Sequence, residues 1–300
     1  MVLKSAKKPH KFANKLILNQ WLMSQFGIDP LADYEDKTRP FHRLSAPLKD
    51  TRLEGFDTDG LHKFYHALVN SELFYNEFHP ISKEQLLVYE ENIVSHTNTI
   101  NGLRNRPVRW KYFQWLSLLF VEIYLDRYFT DKERLLDDLN DFVQRFNGKW
   151  TDYLDIDPYS ADDLNKLCLQ NATGSGKTLL MHVNLLQFQY YAKKHPKSNE
   201  ISRIILLSPN ERLSEQHLEE LNLSGFFQAQ RLNPKSSGRY GTIDVIEITK
   251  LGDSEGPNTI ATRSLGDQNL LLVDEGHRGM SGKEEGVWFA RRSELCARGF

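Results

Sequence analysis

With 300 residues, 40% of them apolar and 26% charged, the chain is long enough for two globular domains, and its composition excludes a collagen-like or disordered protein. Its formal charge of −2 excludes a polybasic protein, so any nucleic-acid track must be a local patch. Two cysteines, Cys168 and Cys296, provide neither a disulfide framework nor a metal set, and Met1-Val2-Leu3-Lys4 runs into lysines instead of an apolar targeting segment. The default expectation is a reducing, cytoplasmic setting.

In chain order, Lys4, Lys7, Lys8, Lys11 and Lys15 with His10 are read as a solvated terminus in preference to a nucleic-acid arm. Residues 11–26 place Leu16, Ile17, Trp21, Leu22 and Phe26 on a helical period, with Gly27 as a stop. Ser82 and Gln85 form a capping box for a helix running to about Arg104. Tyr112, Phe113, Trp115, Phe120, Tyr124, Tyr128 and Phe129 fall at core spacing, which favours packing over a base-stacking platform. The most apolar stretch, Trp115 to Tyr124, is too short to span a bilayer and contains Glu122. Leu135, Leu136, Leu139, Phe142, Val143 and Phe146 make one stripe closed by Asn147-Gly148. Residues 1–150 are therefore expected to form an α-helical accessory domain, followed by a linker over 151–163 in which Tyr153 or Tyr159 is a candidate to stack on an adenine.

From residue 164 the pattern becomes α/β. The apolar run Leu167-Cys168-Leu169, the loop 171–178 and an amphipathic stretch from Leu179 have the strand, glycine loop, helix order of a phosphate-binding loop. Gly174 and Gly176 let backbone N–H groups approach a polyphosphate, Lys177 adds a point charge, and Thr178 offers a hydroxyl to Mg²⁺. Ala172, Thr173, Gly174, Ser175, Gly176, Lys177 and Thr178 are thus the candidate ATP cradle.

Two more apolar runs follow, Arg203 to Pro209 and Ile243 to Thr249, the first leading into a helix that holds Glu211, Gln216 and His217. Asn269 to Val273 then runs into Asp274-Glu275-Gly276-His277, a buried parallel strand ending in two carboxylates and an imidazole. The first carboxylate suits a metal and the second a general base, so Asp274 and Thr178 are assigned to Mg²⁺, Glu275 to water activation, and His277 to the nucleotide site. Parallel strands of a doubly wound sheet bring such ends to one edge. A helix is expected over 287–298.

The strings Ala-Thr-Gly-Ser-Gly-Lys-Thr (172–178) and Asp-Glu-Gly-His (274–277) resemble those of superfamily 2 helicases and translocases. Residues 171–182 and 270–279 are most similar to DEAD/DEAH-type helicase proteins of the type III restriction Res subunit family, where the position of Asn171 is more usually Met. The resemblance covers roughly Leu164 to Gly282. It implies a RecA-like, P-loop core over 164–300, Mg²⁺-dependent ATP hydrolysis with Lys177 and Glu275 catalytic, and movement on duplex DNA. By the same resemblance, the implied partners are DNA and a methyltransferase or other defence-system subunit, with a nuclease domain elsewhere, and Ser208, Asn210 and Gln216 are candidate DNA contacts. The family continues with a Ser-Ala-Thr strand and a second RecA-like domain, so a core incomplete before that strand is expected to bind ATP–Mg²⁺ but hydrolyse it slowly and not unwind DNA alone. Two rival functions are a non-hydrolysing, nucleotide-dependent interaction module and an ATPase switch without nucleic acid.

Overall fold

A computed structural model describes residues 16–32, 40–75, 80–149, 155–172, 174–196, 201–232, 242–276 and 283–300. The lysine-rich terminus, Tyr153, Thr173 and His277 lie outside these residues. The chain divides into two compact units, one of residues 1–94 and 109–164, the other of 95–108 and 165–300.

The first unit is helical. Its helices are α1 (Ile17–Ser24), α2 (Pro40–Ser45), α3 (Lys63–Val69), most of α4 (Lys83–Asn101), α5 (Tyr112–Thr130) and α6 (Lys132–Lys149). Ser82 and Gln85 make the reciprocal capping box at the start of α4, with N–H to side-chain distances of 3.1 and 3.2 Å. Gly27 ends the α1 segment with a φ of +72°, a backbone that glycine adopts without a Cβ penalty. Trp115 to Leu125 of α5 is buried almost throughout, which makes this helix the centre of the unit. Its aromatics Trp115, Phe120, Tyr124 and Phe129 are core side chains. In α6 the stripe Leu135, Leu139, Phe142, Val143 and Phe146 is buried, and the helix continues through Asn147-Gly148 to Lys149.

Two α6 asparagines, two helical turns apart, grip the segment that follows. Asn140 exchanges side-chain amide bonds with the backbone of Tyr159 at 3.1 and 2.7 Å, and Asn147 does the same with Ile156 at 2.9 and 3.0 Å. Residues 156–159 are therefore held against α6, and Tyr159 is half-buried there with a backbone hydrogen bond at Leu18. Among the described residues no helix is long and apolar enough to cross a membrane.

The second unit is α/β. It holds the end of α4, α7 (Lys177–Lys194), β1 (Arg203–Ser208), α8 (Glu211–Leu223), β2 (Ala229–Arg231), β3 (Ile243–Glu247), β4 (Leu251–Gly252), β5 (Ile260–Ala261), β6 (Asn269–Val273) and α9 (Lys283–Leu295). A four-stranded, wholly parallel sheet has the order β2-β3-β1-β6, with Leu206 of β1 opposite Val245 of β3 and Leu272 of β6. Ile205 and Leu207 on one face of β1 join Ile246, Leu265 and Leu295 in a core that Trp288 of α9 also covers. Ser208 belongs to the opposite face and meets Ser214 of α8 at 2.6 Å.

Two expectations are corrected here. Leu167-Cys168-Leu169 is not a strand: the segment is irregular, and Cys168 and Leu169 are exposed. A strand needs a ladder partner, and on the open side of β6 the groups of Asn269 and Leu271 bond Phe300, whose N–H donates to Asn269 O at 3.0 Å and whose carbonyl accepts from Leu271 N at 2.8 Å. The close approach of this last segment leaves no room for a side chain at Gly299, where a Cβ would run into the backbone of Asn269. All five residues of β3 are buried, so its acidic residues do not turn to water. Asp244 instead accepts from Arg203 Nη1 at 3.2 Å and Gln230 Nε2 at 2.9 Å, one carboxylate tying three neighbouring strands. Finally, α9 ends at Leu295, so Cys296 lies just beyond it, with a thiol pushed up to about 11 by burial.

Two buried histidines make this unit acid-sensitive. Burial holds His96 at about 4 and His182 at about 3, below the ordinary 6.5. Both stay neutral in the fold and gain a proton on unfolding, so the stability they contribute is complete above about pH 6.5 and is lost as the pH falls towards their folded values. Denaturant titrations between pH 7 and 4.5 are expected to show a loss approaching about 1.4 kcal/mol per pH unit for each histidine. The variant His96→Phe should flatten that slope, and an unaltered slope would count against the assignment.

Candidate nucleotide-binding site

The loop before α7 turns through two left-handed glycines, Gly174 at φ +74° and Gly176 at φ +79°. A Cβ added at Gly174 would meet no atom within 4 Å, so the backbone angle, not crowding, calls for glycine there. Ser175 N–H closes the turn onto Ala172 O at 3.2 Å. Gly176 caps α7 without a side-chain bond, and the first turn of α7 carries no acidic residue, so its N–H groups and positive dipole end are left for an anion. Lys177 and Thr178 open this helix, both half-buried.

The carboxylates arrive from the sheet. Asp274 extends the β6 ladder with an N–H to Leu207 O at 3.0 Å, and the chain then turns sharply at Glu275, a non-glycine residue at φ +52°. Such a backbone is uncommon outside glycine and recurs at functional sites. Arg292 of α9 holds the next residue by donating from Nη1 to Gly276 O at 3.1 Å. The turn brings Glu275 Oε1 to 3.3 Å from Lys177 Nζ. Asp274 Oδ1 accepts from Glu275 N at 2.9 Å, and Oδ2 lies 3.0 Å from His217 Nε2. The His217 hydrogen bond holds the Asp274 carboxyl below the usual carboxylate range against the opposing effect of burial, with help from the Lys177 charge.

Lys177, Asp274 and Glu275 are thus one cluster built from the start of α7 and the end of β6. His217 is the residue whose part the sequence did not disclose; its signal is its place on the buried Ser214, His217, Leu221 face of α8. Of the candidate DNA contacts, Ser208 is buried with its hydroxyl on Asn210 O and Ser214, and Asn210 caps α8 by accepting from Leu213 N at 3.0 Å. Asn210 and Gln216 have exposed positions.

The profile of the family described as type III restriction enzyme, res subunit, matches residues 133–291. The chain belongs to this family. The match begins in α6, within the helical unit, and ends in α9, so it takes in both halves of the phosphate-loop and carboxylate cluster. No curated protein and no solved structure matches the chain. Membership of the Res family makes the second unit a P-loop NTPase-type, helicase-like ATP-binding module.

The residues fit a magnesium nucleotide. Among the described residues no group of three or more His, Cys, Asp or Glu could cage a metal, and Mg²⁺ is ordinarily held by one or two protein oxygens with phosphates and water. One carboxylate at Asp274, one hydroxyl at Thr178 and an uncapped helix N-terminus would supply such a donor set.

Proposed function

We propose that this Res-family chain hydrolyses ATP with Mg²⁺ and couples the reaction to movement on DNA, as the nucleotide-binding part of a restriction or phage-defence translocase. The observation that carries this reading is the 3.3 Å approach of Lys177 Nζ to Glu275 Oε1, two residues 98 positions apart in sequence. A lysine that can take phosphate oxygens and a carboxylate that can take a proton from water are held at one spot.

Each group then has a role. The N–H groups of Gly176, Lys177 and Thr178 at the start of α7 bind the phosphates, and Lys177 exchanges Glu275 for phosphate oxygens. Glu275, released from the lysine, orients the attacking water and accepts its proton at a carboxylate oxygen. Asp274 and Thr178 would hold the Mg²⁺, which would supply positive charge to offset that of the phosphates. Family membership supports nucleic acid as the track; a methyltransferase or other defence-system subunit is the partner this reading proposes.

The test is ATP turnover by the purified chain with and without duplex DNA, with Lys177→Ala alongside. Turnover is expected to rise with DNA and to fall back as salt is raised, because phosphate contacts release counterions. Lys177→Ala should weaken ATP binding about 10- to 100-fold, the worth of a hydrogen bond to a charged group of roughly 1.5–3 kcal/mol. Turnover indifferent to Lys177 would remove the assigned site, and turnover indifferent to DNA would remove the coupling.

A further inference from the structure

His217 lies outside the phosphate loop and the carboxylate turn, yet it touches the metal-assigned side chain directly. It is 3% exposed and comes from α8, the helix that follows β1, with Nε2 3.0 Å from Asp274 Oδ2. The other oxygen of Asp274 is held by Glu275 N–H at 2.9 Å. Among the described residues each carboxylate oxygen therefore has one recorded donor and keeps lone-pair capacity for something else, since an ionised carboxylate offers about four acceptor sites. Nδ1 of His217 is buried and meets no hydrogen-bond partner among the described residues, which suits a lone pair better than an orphaned N–H. The ring thus donates through Nε2.

The place of His217 is itself fixed. His182, one turn and a half along α7 from Lys177, has its Nδ1 2.8 Å from Ser224 Oγ at the end of α8. Arg104 donates from Nη2 to Ser224 Oγ at 2.9 Å and to Glu220 Oε2 at 2.8 Å. Phe226 meets the His182 ring edge-on at 5.7 Å. These bonds tie α8, which carries His217, to α7, which carries Lys177 and Thr178.

We propose that His217 is a positioning residue for the magnesium nucleotide: its Nε2–H clamps Asp274 Oδ2, fixing the carboxylate in the orientation that meets the metal. This rests on Asp274 being the magnesium carboxylate. Hydrogen-bonded partners of ligating carboxylates orient them, and losing such a partner typically costs about 10- to 100-fold in metal affinity. A free Asp274 would rotate about its side-chain torsions, and part of the binding energy would go into ordering it.

The test is equilibrium binding of a fluorescent ATP analogue to the full chain across a Mg²⁺ titration, with a parallel series in EDTA. His217→Phe keeps ring volume and removes the donor, and His217→Gln puts an amide N–H near the Nε2 position. The Mg²⁺ concentration for half-maximal binding is expected to rise about 10- to 100-fold in His217→Phe and to return most of the way in His217→Gln, while binding in EDTA stays at the wild-type level. A His217→Phe chain with the wild-type Mg²⁺ requirement overturns the proposal, as does an equal loss of binding in EDTA, which would mark a packing role. Asp274→Asn separates the two levels. If it shifts the Mg²⁺ requirement and His217→Phe does not, only the positioning role falls; if Asp274→Asn shifts nothing, the metal assignment falls and the proposal with it.

Discussion

Replacing Glu275 with Gln is expected to slow ATP hydrolysis by about 10²- to 10⁴-fold, the ordinary worth of a positioned general base, and to leave nucleotide bound. Glutamine has the shape of glutamate but cannot take a proton from water. It also cannot neutralise Lys177, whose ammonium now rests 3.3 Å from Glu275 Oε1. The variant therefore loses the reaction and releases the lysine for phosphate, so affinity for ATP should be equal or higher. Single-turnover hydrolysis and equilibrium binding, measured together, decide the matter. Loss of ATP binding would mean that Glu275 holds the site together instead of moving a proton, and an unchanged rate would mean that the base lies elsewhere.

The second large effect is predicted in the helical unit, far in sequence from the chemistry. Glu90 of α4 is fully buried, and its carboxyl accepts from His62 N at 2.5 Å, from His62 Nδ1 at 2.8 Å and from Trp115 Nε1 at 2.8 Å. One side chain thereby satisfies the start of α3, the middle of α4 and the central helix α5. Glu90→Ala would leave three donors buried without an acceptor and open a cavity beside Trp115. Breaking a buried pair from one side costs about 3–5 kcal/mol, and whole domains are stable by only about 5–15 kcal/mol. Denaturant unfolding should show a loss of that size and a helical unit close to its unfolding threshold at 37 °C. Glu90→Gln, which keeps one acceptor oxygen but turns an NH₂ towards donors, should fall between. A loss below about 1 kcal/mol in Glu90→Ala would show that water replaces the carboxyl there.

What could be read from the sequence was whatever depends on local order. The glycines and lysine of 174–177, the β-rich runs that became β1, β3 and β6, and the Ser82–Gln85 box each carry their geometry in a few consecutive residues. What escaped depends on partners distant along the chain. The run Leu167–Leu169 has strand composition, but strand formation is decided by the neighbouring ladder, and the nearest open edge of β6 is bonded to Phe300. Asp244 looks like a solvent-facing residue until Arg203 and Gln230 are seen on either side of it. His217 is an ordinary helical histidine in sequence, and only the packing of α8 brings it to Asp274. Arg104, in the segment 95–108 that belongs to the second unit, likewise reaches Glu220 and Ser224 more than a hundred residues on.

The left-handed backbone of Glu275 sets durability and turnover against each other at a single position. A side chain there costs about 1 kcal/mol relative to glycine, which is free of that penalty. Glu275→Gly should therefore melt at a higher temperature than the parent while hydrolysing no ATP, and a search for heat-resistant variants of this chain would be drawn to its most damaging substitution.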